Sequence, residues 1–304
     1  MSNRPSRGPV EVVVCVHNSP EDVDLCLGSV VRTLRDRDRL IIVDDGSDHE
    51  TQKICELFAA HHEEQVRLIR RPHGTGFCKA ANAGLRETSA DTIVVLNSDT
   101  IVVGDWLDRI VACMSANWQI GIVGPLSNAG GWQSIPSLQS SNLTDQGVRS
   151  DRATIAAIHD YCAQFGDRFA YPLVEQINGF CYVLSRDVLS AVGLFDEERF
   201  PMGYGEESDY TLRALDAGFL CAVAIDCFVY HAKTKSYSTE ARSIYNETGQ
   251  EQLRALYGVK RLEAAVTLSH AHPVLAKIRA EAAEAFREND WLERTDAAIG
   301  PEDA

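Results

Sequence analysis

The sequence predicts an α/β protein: a mostly parallel central sheet with helices on both faces, followed by further C-terminal helices. Three observations predict it. Over the first 125 residues, short β-branched runs alternate with stretches whose apolar positions recur at helical spacing. The strand-like runs VEVVVCV, LIIV and TIVVL are almost continuously apolar, as strands buried on both faces are. The 304 residues are 45% hydrophobic and 24% charged, enough to bury a sizeable core.

The elements follow in order. A strand at 10–16 leads into a helix at 21–35, and a strand at 40–43 into a helix at 50–61. Strands at 66–69 and 92–96 are each followed by a helix, at 77–87 and 106–116, and a short strand lies at 120–123. Residues 125–151 are rich in Gly, Ser, Asn and Pro and read as a long connection, a kind of segment that often carries function. A helix at 152–165, a strand at 180–184, a helix at 206–217 and an extended run at 219–230 follow. From residue 240 the chain is mostly helical. Leu275, Ile278, Ala282 and Phe286 keep helical spacing there, a stripe suited to packing on the domain or on a second subunit in a homo-oligomer.

Composition narrows the function. The chain has 29 basic and 44 acidic residues, a net charge of −15, which disfavours nucleic-acid binding through the phosphate backbone. No apolar run approaches the roughly 20 residues of a membrane span, and the N-terminus lacks the apolar core of a signal peptide. The nine cysteines are scattered without a CxxC pair, so they read as small buried thiols of a cytoplasmic protein rather than a zinc cluster.

Open α/β sheets bind ligands beyond the carboxyl ends of their strands. Those positions hold His17 and Asn18; Asp44, Asp45, Gly46, Ser47 and Asp48; His73, Gly74, Thr75 and Gly76; and Asn97, Ser98 and Asp99. A carboxylate such as Asp99, directly after an apolar strand, can bridge through a hard cation to a diphosphate, or simply cap the next helix. Asp44 and Asp45 can accept hydrogen bonds from a base or ribose, or start the Asp-Gly turn. Glu206, Glu207 and Asp209 crowd a helix start, where they suit the helix dipole. Glu206, Asp209 and Arg213 share one face, so the expectation is that they satisfy each other and leave Glu207 as general base, with Asp209 the next carboxylate in line. His231 ends an apolar run and suits a metal if Asp99 lies beside it. Gly74-Thr75-Gly76 lacks the third glycine of a dinucleotide fingerprint, and there is no P-loop.

Taken in register, eight segments resemble the family 2 glycosyltransferases, inverting enzymes of the GT-A fold, including rhamnosyltransferase-like members. They are VEVVVCVHN, IIVDDGSDHET, HGTGFCKAANAGL, TIVVLNSDT, GPLSNAGG, NGFCYVLSRDVLSAVGLFDE, FPMGYGEESDYTLRALDAGF and VYHAKTKSYS. The resemblance implies a catalytic domain over 1–239, with a nucleotide half over 8–124 and an acceptor half over 125–239, and a helical extension over 240–304. It places Val16, Asn18, Asp44 and Asp45 around the base, and Gly76, Lys79 and Asn82 near the ribose and diphosphate. The family's DxD metal motif reads Asn97-Ser98-Asp99 here, so Asp99 carries the Mn²⁺ or Mg²⁺ contact together with His231. The motif that supplies the base reads Glu206-Glu207. The donor implied is a UDP-, dTDP- or GDP-linked sugar, and the acceptor a glycan, lipid-linked or small-molecule hydroxyl, with acceptor choice in 125–151 and 236–257. Two other classes compete: a sugar nucleotidyltransferase and a catalytically silent sugar-binding module. The first wants a basic Gly-rich loop after the first strand, where His17-Asn18-Ser19-Pro20 stands. The second has no need of Asp99, Glu207 and His231.

Overall fold

The structure, a computed structural model, describes residues 7–138, 148–233 and 239–292, the side chains of 239–242 excepted. Parts of both segments expected to choose the acceptor, 139–147 and 234–238, lie outside the described residues.

The first half follows the expected alternation: β1 (Val10–Val16), α1 (Pro20–Val31), β2 (Arg39–Asp45), α2 (His49–His61), β3 (Val66–Arg71), α3 (Phe77–Leu85) and β4 (Thr92–Asn97). Then come β5 (Thr100–Ile101), α4 (Trp106–Ser115) and β6 (Ile120–Leu126). The second half contains α5 (Arg152–Arg168), β7 (Leu173–Val174), β8 (Cys181–Ser185), α6 (Arg186–Val192), α7 (Glu206–Asp216), β9 (Leu220–Phe228) and β10 (Tyr230–His231). Three helices close the described chain: α8 (Thr239–Tyr257), α9 (Val259–His270) and α10 (Pro273–Glu288).

Eight strands form one sheet in the order β3-β2-β1-β4-β8-β6-β9-β7. β1 pairs in parallel with β2 and β4, whereas β8 runs antiparallel between β4 and β6. The chain therefore reverses its direction of travel across the sheet at β1 and β4, and the crevice beyond their carboxyl ends is the expected ligand site. Both faces are covered. Val12, Val14, Leu40, Ile42, Val94 and Leu96 enter one core, while Val13, Ile41, Val43, Ile93 and Val95 enter the other. Each such side chain contributes roughly 1.5–3 kcal/mol by leaving water.

Three short elements escape the sequence periodicities, namely β5, β7 and α6. Two-residue strands have no period to detect. The run expected as one extended segment over 219–230 is divided at Val229, and its end, β10, leaves the sheet to pair antiparallel with β5. The C-terminal stripe is resolved in favour of the chain's own domain: Leu275, Ile278, Ala282 and Phe286 are all buried in the core that holds Val13 and Phe228. No described helix is long and apolar enough to cross a membrane. Eight cysteines are buried, Cys15 is partly so, and none forms a disulfide.

Candidate functional site

A cavity of about 330 Å³ opens at the β1/β4 crevice, and its lining combines Val16, Asp45, Asn97, Ser98 and Asp99 from the first half of the chain with Glu206, Glu207 and His231 from the second.

The β5–β10 ribbon brings Asp99 and His231 together. Thr100 faces His231 in its register, and the Ala232 amide donates to the Asp99 carbonyl at 2.9 Å. The His231 backbone is clamped by Asn128, whose Nδ2 donates to the His231 carbonyl at 2.9 Å and whose Oδ1 accepts its amide at 2.8 Å. Phe180 stacks on the imidazole at 5.2 Å and 16°. Nδ1 of His231 lies 2.9 Å from the Ala129 carbonyl, which can only accept, so Nδ1 carries a proton. In the neutral ring Nε2 is then a lone pair, and it faces the Asp99 carboxylate at 3.4 Å. Two acceptors aimed at each other across that gap suit a shared cation, and a backbone carbonyl fixing the far nitrogen is the usual support of a metal-binding imidazole. No cluster of three or more His, Cys, Asp or Glu able to hold a metal exists among the described residues. A divalent ion here would therefore take its other oxygens from diphosphate and water.

The loops that follow β2 and β3 are organised around Asp45. Its Oδ2 accepts the Thr75 and Gly76 amides at 2.8 and 2.9 Å, and its Oδ1 accepts the Thr75 hydroxyl at 2.8 Å. Arg71 adds an ion pair at 3.1 Å. Gly76 needs its lack of a side chain, since at φ +96° a Cβ would fall 2.2 Å from the Pro201 carbonyl. Asp44 is fully buried and accepts the Ser47 amide at 3.0 Å. Asn18 accepts the Asp48 amide at 2.8 Å, tying the first two loops together. Asp44, Asn18 and Gly76 thus shape the crevice from behind its lining. Lys79 and Asn82 also lie outside the lining. The Asn82 amide is consumed by a turn of the chain: Nδ2 donates to the Phe195 carbonyl and Glu197, and Oδ1 accepts the Phe195 amide.

The acidic side departs from expectation in one respect. Arg213 pairs with Asp209 at 2.8 Å and the Tyr257 hydroxyl caps the same carboxylate at 2.6 Å, but Glu206 is not part of that set. Helical side chains lean toward the N-terminus, so Glu206, in the first turn of α7, curls back over Gly205 instead of reaching Arg213 two turns on. The Gly205 amide donates to Glu206 at 3.1 Å and to Glu207 at 3.3 Å, so the two carboxyl groups converge on one donor. Burial and the neighbouring Glu207 charge push the Glu206 carboxyl well above the usual range. Both carboxyls line the cavity, whereas Asp209 does not.

Sequence reasoning singled out His17 only as a strand-end position and passed over Asn128, Phe180, Tyr204 and Lys233. His17, Phe180, Tyr204 and Lys233 line the cavity, and Asn128 holds His231 in place. Lys233 could have been suspected from standing two residues after His231. Asn128 gave no local signal, because its partner is distant in sequence.

A family model described as Glycosyl transferase family 2 matches residues 11–168, more than half of the chain. The chain belongs to that family. The glycosyltransferase GlyG of Streptococcus pneumoniae is 25% identical to this family 2 chain over 101 residues, 33% of each protein. An N-acetylglucosaminyltransferase of Mesorhizobium japonicum is 23% identical over 224 residues, 69% of this chain and 48% of the relative. The chain therefore spans less than two thirds of the length of either relative. Among solved structures, the mannosyltransferase PcManGT of Pyrobaculum calidifontis, in complex with GDP-Man and Mn²⁺, superimposes with a TM-score of 0.63 at 17% identity. The match covers 94% of this chain and 76% of that one. GalNAc-T7 with UDP, GalNAc and Mn²⁺ gives a TM-score of 0.58 at 15% identity, over 93% and 57% of the two chains. At these identities the likeness shows the shared GT-A fold.

Proposed function

We propose that this chain is a metal-dependent, inverting glycosyltransferase moving a sugar from a UDP-, dTDP- or GDP-linked donor to the hydroxyl of a glycan, lipid-linked or small-molecule acceptor. One observation carries the reading: Asp99 facing His231 Nε2 at 3.4 Å shares a single cavity with the Glu206–Glu207 pair. Residues 8–124 would hold the nucleotide and 125–239 the acceptor. Asp99 and His231 would hold Mn²⁺ or Mg²⁺, and that ion, when bound, supplies positive charge to the departing diphosphate of a donor that this −15 chain would otherwise repel. Lys233 adds an ammonium to the same wall.

Glu207 is the base. It accepts the acceptor hydroxyl proton as the oxygen forms its bond to the anomeric carbon, and the carbon–phosphate oxygen bond breaks with its electron pair leaving on the diphosphate. Attack from the face opposite the leaving group inverts the anomeric centre. The test is a panel of UDP-, dTDP- and GDP-sugars, following release of nucleoside diphosphate with and without EDTA and reading the product anomer by NMR. Turnover unchanged in EDTA, or a retained anomer, would overturn the reading.

A further inference from the structure

Three consecutive residues before the Glu206–Glu207 pair have positive φ: Gly203 at +84°, Tyr204 at +64° and Gly205 at +134°. Glycine adopts such angles freely, whereas a bulky residue does so only when its surroundings hold it. α8 holds Tyr204. The helix rests so closely on it that a Cβ on Gly249 would fall 1.7 Å from the Tyr204 carbonyl oxygen. Tyr245, one turn earlier on α8, sets its ring 6.0 Å from the Tyr204 ring at 36°. The loop is tied from the nucleotide side as well, where the Cys78 amide donates to the Pro201 carbonyl at 3.4 Å. The strained residue is thereby fixed in the cavity wall beside Glu206 and Glu207. Glycine would take this backbone without strain, so a tyrosine at this position points to a use for its ring.

We propose that Tyr204, backed by Tyr245, is the platform on which the acceptor docks, and that the acceptor is an uncharged saccharide. The proposal rests on the transferase reading above. An aromatic face is negative and attracts polarised C–H groups. A sugar ring offers one such face and a rim of hydroxyls, and the same lining holds Asn178, Glu206 and Glu207, which suit that rim. The lining sets four carboxyl side chains, Asp45, Asp99, Glu206 and Glu207, against Lys233 and His17, a balance that disfavours an anionic acceptor.

The test uses the full chain, with Tyr204→Phe and Tyr204→Ala variants whose folding is verified by melting temperature. Methyl glycosides of neutral hexoses and N-acetylhexosamines, a sugar phosphate, and octanol serve as probes. Binding is followed by saturation-transfer NMR with nucleoside diphosphate and Mn²⁺ present, and transfer by steady-state kinetics with whichever donor of the panel turns over. The expected result is glycoside binding that Tyr204→Phe retains. Tyr204→Ala should raise the glycoside KM about three- to tenfold, the worth of one aromatic contact. Binding of octanol or the sugar phosphate in place of the neutral glycosides, or an unchanged glycoside KM in Tyr204→Ala, would overturn the proposal. Tyr204-dependent glycoside binding with every donor inert would uphold the platform and instead sink the transferase reading.

Discussion

Glu206 and Glu207 are adjacent in sequence, yet their surroundings differ. Glu206 is 7% exposed and curls over the Gly205 amide, while Glu207 is only partly buried and lines the same cavity. Glu207→Gln keeps shape and hydrogen bonding but cannot take a proton, so transfer should fall by about 10²–10⁴-fold with donor affinity intact, read by kinetics and calorimetry at one pH. A Glu207→Gln variant with normal turnover would move the base to Glu206. Glu206 makes a separate prediction for stability. Its carboxyl is raised above the ordinary 4.5 by burial and by Glu207, so the folded chain retains a proton that the unfolded chain has lost. The stability it contributes is full below pH 4.5 and is lost as pH rises through the folded value. Urea midpoints measured across pH should therefore decline less steeply in Glu206→Gln. On the other wall, Asp99→Ala and His231→Ala should each abolish Mn²⁺ binding by calorimetry together with turnover. Metal affinity unchanged in both would remove them as ligands.

At the scale of elements, the site depends on close approaches as much as on side chains. α3 lies so near β1 that a Cβ on Gly84 would fall 2.3 Å from Val13 Cγ1 and 3.1 Å from Val43 Cγ2. Gly84→Ala should then destabilise by about 1–3 kcal/mol through overpacking. Trimming Val13 to Ala in the same chain should recover part of the loss, a coupling that a double-mutant cycle in denaturant would expose. Additive losses would mean that α3 shifts as a whole instead. The β5–β10 ribbon is the other decisive element: two residues per strand suffice, because Asn128 and Phe180 clamp His231 from the neighbouring loops.

For the whole molecule, the C-terminal helices belong to the same core as the sheet. Phe286 is fully buried and meets Trp291 edge-on at 5.3 Å, and Arg168 grips Glu281 with two bonds of 2.8 and 2.9 Å. Arg279 reaches the Trp132 carbonyl, in the connection after β6, at 2.8 Å. Phe286→Ala should cost about 3–5 kcal/mol. Truncation after Gly258 should strip the cover from this core and lower solubility and melting temperature. An unchanged melting temperature for the truncated chain would show that α9 and α10 fold separately from the sheet.

Continuous apolar strands separated by amphipathic helices were enough to specify the α/β class and the alternating elements of the first half, because each βα unit writes its own period in a short stretch of chain. The same local logic found the strand-end positions Asp45, Asn97 and Asp99, and the acidic start of α7 with Glu206 and Glu207. Pairings between distant segments were a different matter. That β10 leaves the sheet to set His231 against Asp99, that Glu206 turns to Gly205 rather than Arg213, that Asn82 is consumed by Phe195 and Glu197, and that Gly249 presses on Tyr204 all depend on which surfaces meet after the chain collapses. Hydrogen bonds and close contacts between residues far apart in sequence leave no periodic trace in either partner, so the tertiary structure alone decided them.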